Sequence, residues 1–428
     1  MKRWLLVTLP LLGLLPAFAA TQRAGDAPDA MTQYLTATVD DPVARLQKKL
    51  DAGSAKLIWS EYGYLKSVLK ELGISSRTQT LVFSKTSLQR ERISPRTPRA
   101  LYFNDDCYVG WCQDGVVVEL AVQDPKWGTI FYTLPQQPTA TPKFVRQSYE
   151  CLQCHSSPMT ENIPGLAVRS VYPMADGNPD LREGTFLTSD LSPLKERWGG
   201  WYVSGRHGKM RHMGNVIAQR YDNVSELDRE KGANILDLRR YFDTKPYLTP
   251  HSDITALMVL EHQARIHNIL TKAAFTVRDT LRDEARMNEV LKESGRREST
   301  TRRIESACKP LVQALLFSGA AELTAPVIGT AGFEEQFSAR GPKDTQGRSL
   351  YQLDLTKRLL RHPCSYLIYS EAFDALPAEA RAQVARRFEE ILSGKDQSAP
   401  FAHLNSSERR AILEILAATK PGFLKITP

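Results

Sequence analysis

The sequence predicts an α+β protein, predominantly α-helical, with a helical and β-hairpin N-terminal part, an irregular central segment and a helical C-terminal part. Three observations carry this. Strand-type runs crowd into residues 80–134. Residues 143–225 are rich in Gly, Pro and aromatics, the composition of an irregular segment that often holds function or wraps a prosthetic group. From Ser252 onward the apolar residues recur at helical spacing.

The chain begins MKRWLLVTLPLLGLLPAFAATQ. Lys2 and Arg3 make a charged start, Trp4 to Leu15 an apolar run too short to span a bilayer comfortably, and Ala17-Phe18-Ala19 a small-residue cleavage site. Residues 1–19 therefore read as a signal peptide. The apolar stretch Leu311 to Gly329 contains Ser318, Glu322 and Pro326, which suits a buried helix and turn better than a membrane span. The expected product is an exported protein, periplasmic or secreted, with no transmembrane anchor after cleavage.

Residues 20–142 form a helical and then β-rich region. Between about 40 and 73, Glu61, Leu65, Val68, Leu69 and Leu72 follow helical spacing and Gly73 can stop the turn. Thr80–Phe83 and Ala100–Phe103 are short strand candidates. Gly115–Val122 and Thr129–Leu134 flank the turn signal Asp124-Pro125-Lys126-Trp127-Gly128 and predict a hairpin. Leu134–Pro142 reads as a linker. Residues 226–428 read as a helical region. Its first long helix runs from Ser252 or Asp253, as cap, to about Glu293. Another spans Pro377 to Leu392 and ends at Gly394. The last opens on the capping box Asn405-Ser406-Ser407-Glu408 and stops before Pro421-Gly422.

The central segment opens with the string ECLQCHSSPM. Cys151, Cys154 and His155 form C-x-x-C-H, the pattern of covalent haem c attachment. Two thiols reach the two vinyl groups of one porphyrin from a single turn, and the adjacent imidazole becomes the proximal iron ligand. A thioredoxin-like pair wants a strand before it, and Lys143 to Glu150 is polar. A zinc site wants further ligands nearby, and there is no second C-x-x-C. Haem is attached outside the cytoplasm, so motif and signal peptide agree.

Residues 150–155 resemble the haem motif of c-type cytochromes. RWGGWYVSGRHG (Arg197 to Gly208), followed by His212-Met213-Gly214-Asn215, resembles a group of large, little-characterised bacterial cytochrome c domain proteins. The resemblance implies one covalent haem c and electron transfer, and it names no substrate. The chain departs from small cytochromes c in carrying its motif far from the mature N-terminus, with some 270 residues after it.

A sixth iron ligand must be a downstream His or Met. The cluster RHGKMRHMGN makes His212 the first candidate, with His207 and Met213 as alternatives, and an open sixth site is the other possibility. Arg169, Arg182, Arg197, Arg206 and Arg211 are candidates for pairing haem propionates. Trp198, Trp201 and Tyr202 suit either the porphyrin edge or ordinary core. His262 and His267 are five apart, about 140° around a helix, so they do not share a ligand easily. His262 reads as a hydrogen-bonded core histidine, with a distal residue over the haem as the lesser alternative. No Ser-His-Asp signature or phosphate loop stands out.

Cys107, Cys112, Cys308 and Cys364 remain. An oxidising compartment favours disulfides, with Cys107–Cys112 and Cys308–Cys364 the preferred pairing and four buried thiols the rival. In one continuous strand Cys107 and Cys112 would lie about 16 Å apart, so a bridge there needs a turn at Val109-Gly110. The formal charge is +8, and removal of Lys2 and Arg3 leaves 54 basic against 48 acidic residues, or +6. Dispersed basic residues on an exported chain argue against nucleic acid and fit docking to a redox partner protein. The expected function is one-electron transfer by an exported monohaem c-type cytochrome. A peroxidase-like haem oxidoreductase with an open sixth site, or a haem-based sensor, is the alternative.

Overall fold

The computed structural model describes residues 29–218 and 227–425. The expected signal peptide, residues 1–19, lies outside the described residues. The chain is α+β. Its N-terminal region holds helices α1 (Ala30–Thr36), α2 (Pro42–Asp51) and α3 (Leu65–Glu71). Strands β1 (Thr80–Val82), β2 (Arg99–Phe103), β3 (Cys107–Trp111), β4 (Val117–Asp124) and β5 (Gly128–Pro135) follow. The central segment adds β6 (Val145–Arg146), the single-turn helix α4 (Leu152–His155), β7 (Arg169–Val171), β8 (Thr185–Leu187) and β9 (Trp201–Tyr202). The C-terminal region holds α5 (Ile254–Leu291), α6 (Glu298–Leu315), α7 (Phe333–Ser338), α8 (Glu371–Asp374), α9 (Ala378–Leu392) and α10 (Ser406–Thr419).

One antiparallel sheet runs in the order β6-β5-β4-β3-β2-β1-β9, and β7–β8 form a separate hairpin. The sheet draws strands from both the N-terminal and central segments. Its register places Glu119, Ala121 and Gln123 of β4 on one face and Val118, Leu120 and Val122 on the other, the period of two that a strand imposes. The second face, with Leu81, Tyr102, Val109 and Ile130, packs into a core shared with α1–α3. The first face, with Val82, Phe103, Tyr108 and Trp201, packs into the core built by α5 and the later helices. The sheet is therefore the wall between two cores.

The hairpin β4–β5 forms where expected, with Asp124 pairing Gly128. The helical stretch expected over 40–73 breaks into α2 and α3, with turns and a bridge across Ala52–Tyr64. β3 had no counterpart in the sequence reading. The expected linker is partly β5, and the coil after it is held by Tyr64, whose hydroxyl donates to the carbonyls of Gln137 and Thr139 at 3.3 Å. α5 starts at the Asp253 cap, whose Oδ1 accepts from Thr255 N at 2.9 Å, and α10 starts at the Asn405–Glu408 capping box. Among the described residues no helix is long and apolar enough to cross a membrane.

Candidate haem-attachment site

The C-x-x-C-H string is wound into one helical turn. His155 N–H donates to Cys151 O at 2.9 Å and Ser156 N–H to Leu152 O at 2.9 Å. Residues three and four apart on a turn share a face, so both thiols and the imidazole stand on one side of α4. Leu152, the buried residue of the turn, anchors it beside His155. Ser157 ends the turn, donating its hydroxyl to Cys154 O at 2.7 Å and capping the next one. Both thiols are free; Cys151 is half-buried and Cys154 exposed.

The ring of His155 packs on Phe131 of β5 at 4.8 Å between centroids. Its Nδ1 lies 2.9 Å from Gly165 O, and Gly165 N–H donates back to His155 O at 2.9 Å. A carbonyl only accepts, so Nδ1 carries the proton and Nε2 presents its lone pair. Nε2 makes no hydrogen bond among the described residues. Burial holds the His155 pKa below its ordinary value, so the ring is neutral. Gly165 and Leu166 are in turn fixed to α5. Asn268 Oδ1 accepts from Leu166 N at 2.8 Å and its Nδ2 donates to Leu166 O at 2.7 Å. A Cβ on Gly165 would meet Asn268 Oδ1 at 2.5 Å, so this approach needs glycine. The half-buried ion pair of Arg99 and Glu119 acts electrostatically on both Cys151 and His155. It crosses β3 above Gly110, where a Cβ would sit 2.2 Å from Arg99 Nη2.

This donor set suits haem c: two free thiols and one neutral imidazole on one face of a turn, with the imidazole tautomer set by a backbone carbonyl. Among the described residues no group of three or more His, Cys, Asp or Glu could hold a metal ion, which leaves the zinc alternative without ligands.

The structure does not bring the expected distal residues to His155. His207 spends both nitrogens locally: Nδ1 lies 2.7 Å from Met210 O, and Nε2 accepts from Asn234 N at 3.0 Å. His212 Nδ1 accepts from Gly214 N at 3.0 Å, its ring meets Trp198 edge-on at 5.4 Å, and burial pushes its pKa down to about 3. Met213 Sδ accepts from Ser170 Oγ at 3.6 Å. All three are buried beside β9. His155 sits against β5, and β5 and β9 are five strand spacings apart, about 24 Å. α5 gives a second ruler. Ile254 N–H donates to Ser204 O at the β9 end, and Asn268 holds Leu166 at the His155 end, about 21 Å along the axis. Two imidazoles on one iron need their nitrogens within about 4 Å, twice a metal–nitrogen bond of roughly 2 Å.

Three of the five arginine candidates have other partners, while the Arg169 Nε is buried without one among the described residues. Arg197 donates to Glu261 Oε2 at 3.0 Å and to Ser192 O at 2.6 Å, both side chains of the ion pair being nearly inaccessible. Burial pushes Glu261 up to about 7 even so. Arg182 pairs with Asp180 and Arg211 with Glu230, while Arg206 is exposed. Trp198, Trp201 and Tyr202 are core, Trp201 Nε1 donating to Arg169 O at 2.8 Å.

His262 is a core histidine, and the structure adds what the sequence reading missed. Its Nδ1 lies 3.2 Å from Asp190 Oδ2 and its Nε2 2.8 Å from Ser365 Oγ. That Ser-His-Asp line is wholly buried, and Ser365 Oγ also accepts from Leu367 N at 3.3 Å, so it locks packing and offers no accessible nucleophile. Cys107, Cys112, Cys308 and Cys364 are buried free thiols, which corrects the preferred disulfides. β3 runs straight through Val109-Gly110, so the turn that Cys107–Cys112 needed does not exist.

Fold and site together define an α+β chain built around a two-sided antiparallel sheet, with a C-x-x-C-H turn docked at one end of it. Comparison with protein-family models, with curated proteins and with solved structures found no match in any of the three.

Proposed function

We propose that this chain is an exported monohaem c-type cytochrome that carries out one-electron transfer with a redox partner protein. Cys151 and Cys154 would hold the haem covalently and His155 would bind its iron. The observation that carries the reading is the free Nε2 of His155, its Nδ1–H fixed on Gly165 O, on the same turn face as two free thiols. When bound, haem c supplies a one-electron couple between Fe(III) and Fe(II). Asn268 and Gly165 orient the imidazole, and Phe131 excludes water from its face. The signal peptide, a periplasmic or secreted location, and a predominantly helical layout in which the C-terminal region covers the haem segment belong to the same proposal.

A second reading is a haem oxidoreductase with an open sixth site. The separation of His207, His212 and Met213 from His155 favours it. The test is the optical spectrum of protein made in an exporting host with haem-maturation machinery. It is recorded oxidised, reduced, and reduced with carbon monoxide, after an acid–acetone wash. Haem lost in the wash overturns both readings. Retained haem that ignores carbon monoxide supports the electron carrier, and retained haem that binds it supports the open site.

A further inference from the structure

Along α5, between the β9 end and the His155 end, lies a buried cluster of charges that the candidate haem site does not use. Two guanidiniums face two carboxylates there. Arg197 donates to Glu261 Oε2 at 3.0 Å, and Arg265 lies 3.3 Å from Asp190 Oδ1. The charged and titratable groups around Glu261 are Arg197 from the segment before β9, Asp190 from the segment after β8, and His262 and Arg265 from α5 itself, with the Ser365 hydroxyl behind His262.

Within this cluster Glu261 has an oxygen to spare. Its side chain is wholly buried, and its Oε1 makes no hydrogen bond among the described residues, the nearby Thr188 hydroxyl being turned to Val168 O at 3.4 Å. Arg197 does not depend on Glu261 alone, since it also donates to Ser192 O at 2.6 Å and to Asp190 O at 3.2 Å. A proton on Oε1 therefore strands no guanidinium, and it relieves a buried anion of its desolvation cost. Glu261 and Asn268 are seven residues apart on α5, about 10 Å along the axis and within about 20° of one face. Asn268 bolts down the Gly165–Leu166 loop that orients His155. A charge arriving at the His155 end is thus felt at Glu261 through protein interior, over a distance on the order of 15 Å.

We propose that Glu261 takes up a proton when an electron arrives at the haem site, so that the chain carries an electron and a proton together. This rests on the haem reading. The electron comes from the redox partner protein and converts Fe(III) to Fe(II). The proton comes from solvent water and forms an O–H bond at Glu261 Oε1, and both leave on reoxidation. Arg265, with 16% of its side chain exposed, is the edge of the cluster toward solvent.

The charge balance favours this coupling. With Glu261 ionised, two cations offset two anions. The proton leaves one positive charge in excess, which the incoming electron compensates. At that separation, and an effective dielectric constant of about 20, one added negative charge raises a carboxyl pKa by about 0.8. Burial already pushes Glu261 up to about 7, with Arg197 and Thr188 opposing and Asp190 adding to it, so the uptake falls near neutral pH. Asp190 does not compete. Burial works against its anion, but His262, Arg265 and Arg197 outweigh burial and hold its pKa below the ordinary value.

The test is the reduction midpoint of the haem-loaded full chain from about pH 5 to about pH 9, together with its reduced-minus-oxidised infrared difference spectrum at about pH 7. The midpoint should fall as pH rises through about 7 and level off on either side, because the protonated carboxyl favours the reduced state. Reduction should add a protonated-carboxyl band that shifts in deuterium oxide. Glu261→Gln, which keeps an acceptor for Arg197, should flatten the midpoint and remove the band while the visible haem spectrum stays as it is. A midpoint flat with pH in the unmutated chain, no carboxyl band on reduction, or a slope and band that survive Glu261→Gln would each overturn the proposal and leave the cytochrome reading standing. Absence of covalent haem would overturn both. The infrared spectrum of the unmutated chain keeps the test decisive even where the variant does not fold.

Discussion

Replacement of His212 by alanine tests the geometry of the candidate haem site most directly. Two rulers, about 24 Å across five strand spacings and about 21 Å along α5, separate His212 from His155, against about 4 Å for two ligands of one iron. No rotamer change spans that gap, since a side chain reaches only a few ångströms from its backbone. His212→Ala should therefore leave the haem spectrum, the carbon monoxide response and the reduction midpoint as they are in the unmutated protein. Its cost should fall on stability. The variant removes a buried ring and strands the Gly214 N–H that donates to Nδ1, about 1–3 kcal/mol for the unsatisfied amide. Denaturant unfolding of haem-loaded protein reads that cost. Met213→Leu should behave alike in spectrum, and His155→Ala, by contrast, should abolish the native axial coordination. A His212→Ala protein that changes from a six-coordinate low-spin to a five-coordinate spectrum would refute the reasoning, because the β9 end would then have to travel some 20 Å on haem binding.

Four further outcomes follow from the same contacts. Asn268→Ala frees Gly165–Leu166 and weakens the support of His155 Nδ1, so the reduction midpoint should rise by on the order of tens of millivolts, read by potentiometric titration. Arg197→Leu leaves Glu261 buried without its cation and should cost about 3–5 kcal/mol, whereas Glu261→Gln, at a carboxyl already pushed up to about 7, should cost far less at neutral pH; equal costs in urea unfolding would contradict this. Haem-loaded protein, unfolded and titrated with a thiol reagent, should show four thiols, from Cys107, Cys112, Cys308 and Cys364, and a count of zero would restore the disulfides. Asp106 is raised from 3.8 to about 7, so the folded state keeps a proton that the unfolded chain releases. Stability should then fall as pH rises from about 4 to about 7, by at most about 4 kcal/mol, and Asp106→Asn should flatten that slope.

What the sequence disclosed of the fold follows from how locally each element is encoded. The β4–β5 hairpin was legible because Asp124 and Gly128 punctuate two strand runs, and Asp124 Oδ1 accepts from both Lys126 and Trp127 N–H at 2.8 Å to make that turn. α5 and α10 were legible through Asp253 and the Asn405–Glu408 box, caps that act within four residues. β3 was not. All five residues from Cys107 to Trp111 are buried on both faces, so CYVGW shows no alternation to read. β9 is two residues long, and only its partner β1, more than a hundred residues earlier, makes it a strand.

The same contrast explains the candidate site. The proximal half was legible because one turn of helix converts the spacing of Cys151, Cys154 and His155 directly into a shared face. The distal half required a contact between remote segments, and residue type was the sole guide: two histidines and two methionines among glycines. Type does not say whether a nitrogen is free. In RHGKMRHMGN the ring lone pairs are taken: His207 closes its own loop onto Met210 O three residues on and takes the Asn234 amide with its other nitrogen. His212 turns Nδ1 back on Gly214, two residues away. Imidazoles so committed to neighbouring backbone lock a loop, much as a capping side chain locks a helix end. A histidine fit for iron shows the arrangement of His155: one nitrogen tied to a carbonyl ten residues off, the loop bearing that carbonyl bolted to a long helix by Asn268, and the other nitrogen left without a partner. The signal for such a ligand lies in the second sphere, in Gly165 and Asn268, and those two residues are related only by the fold.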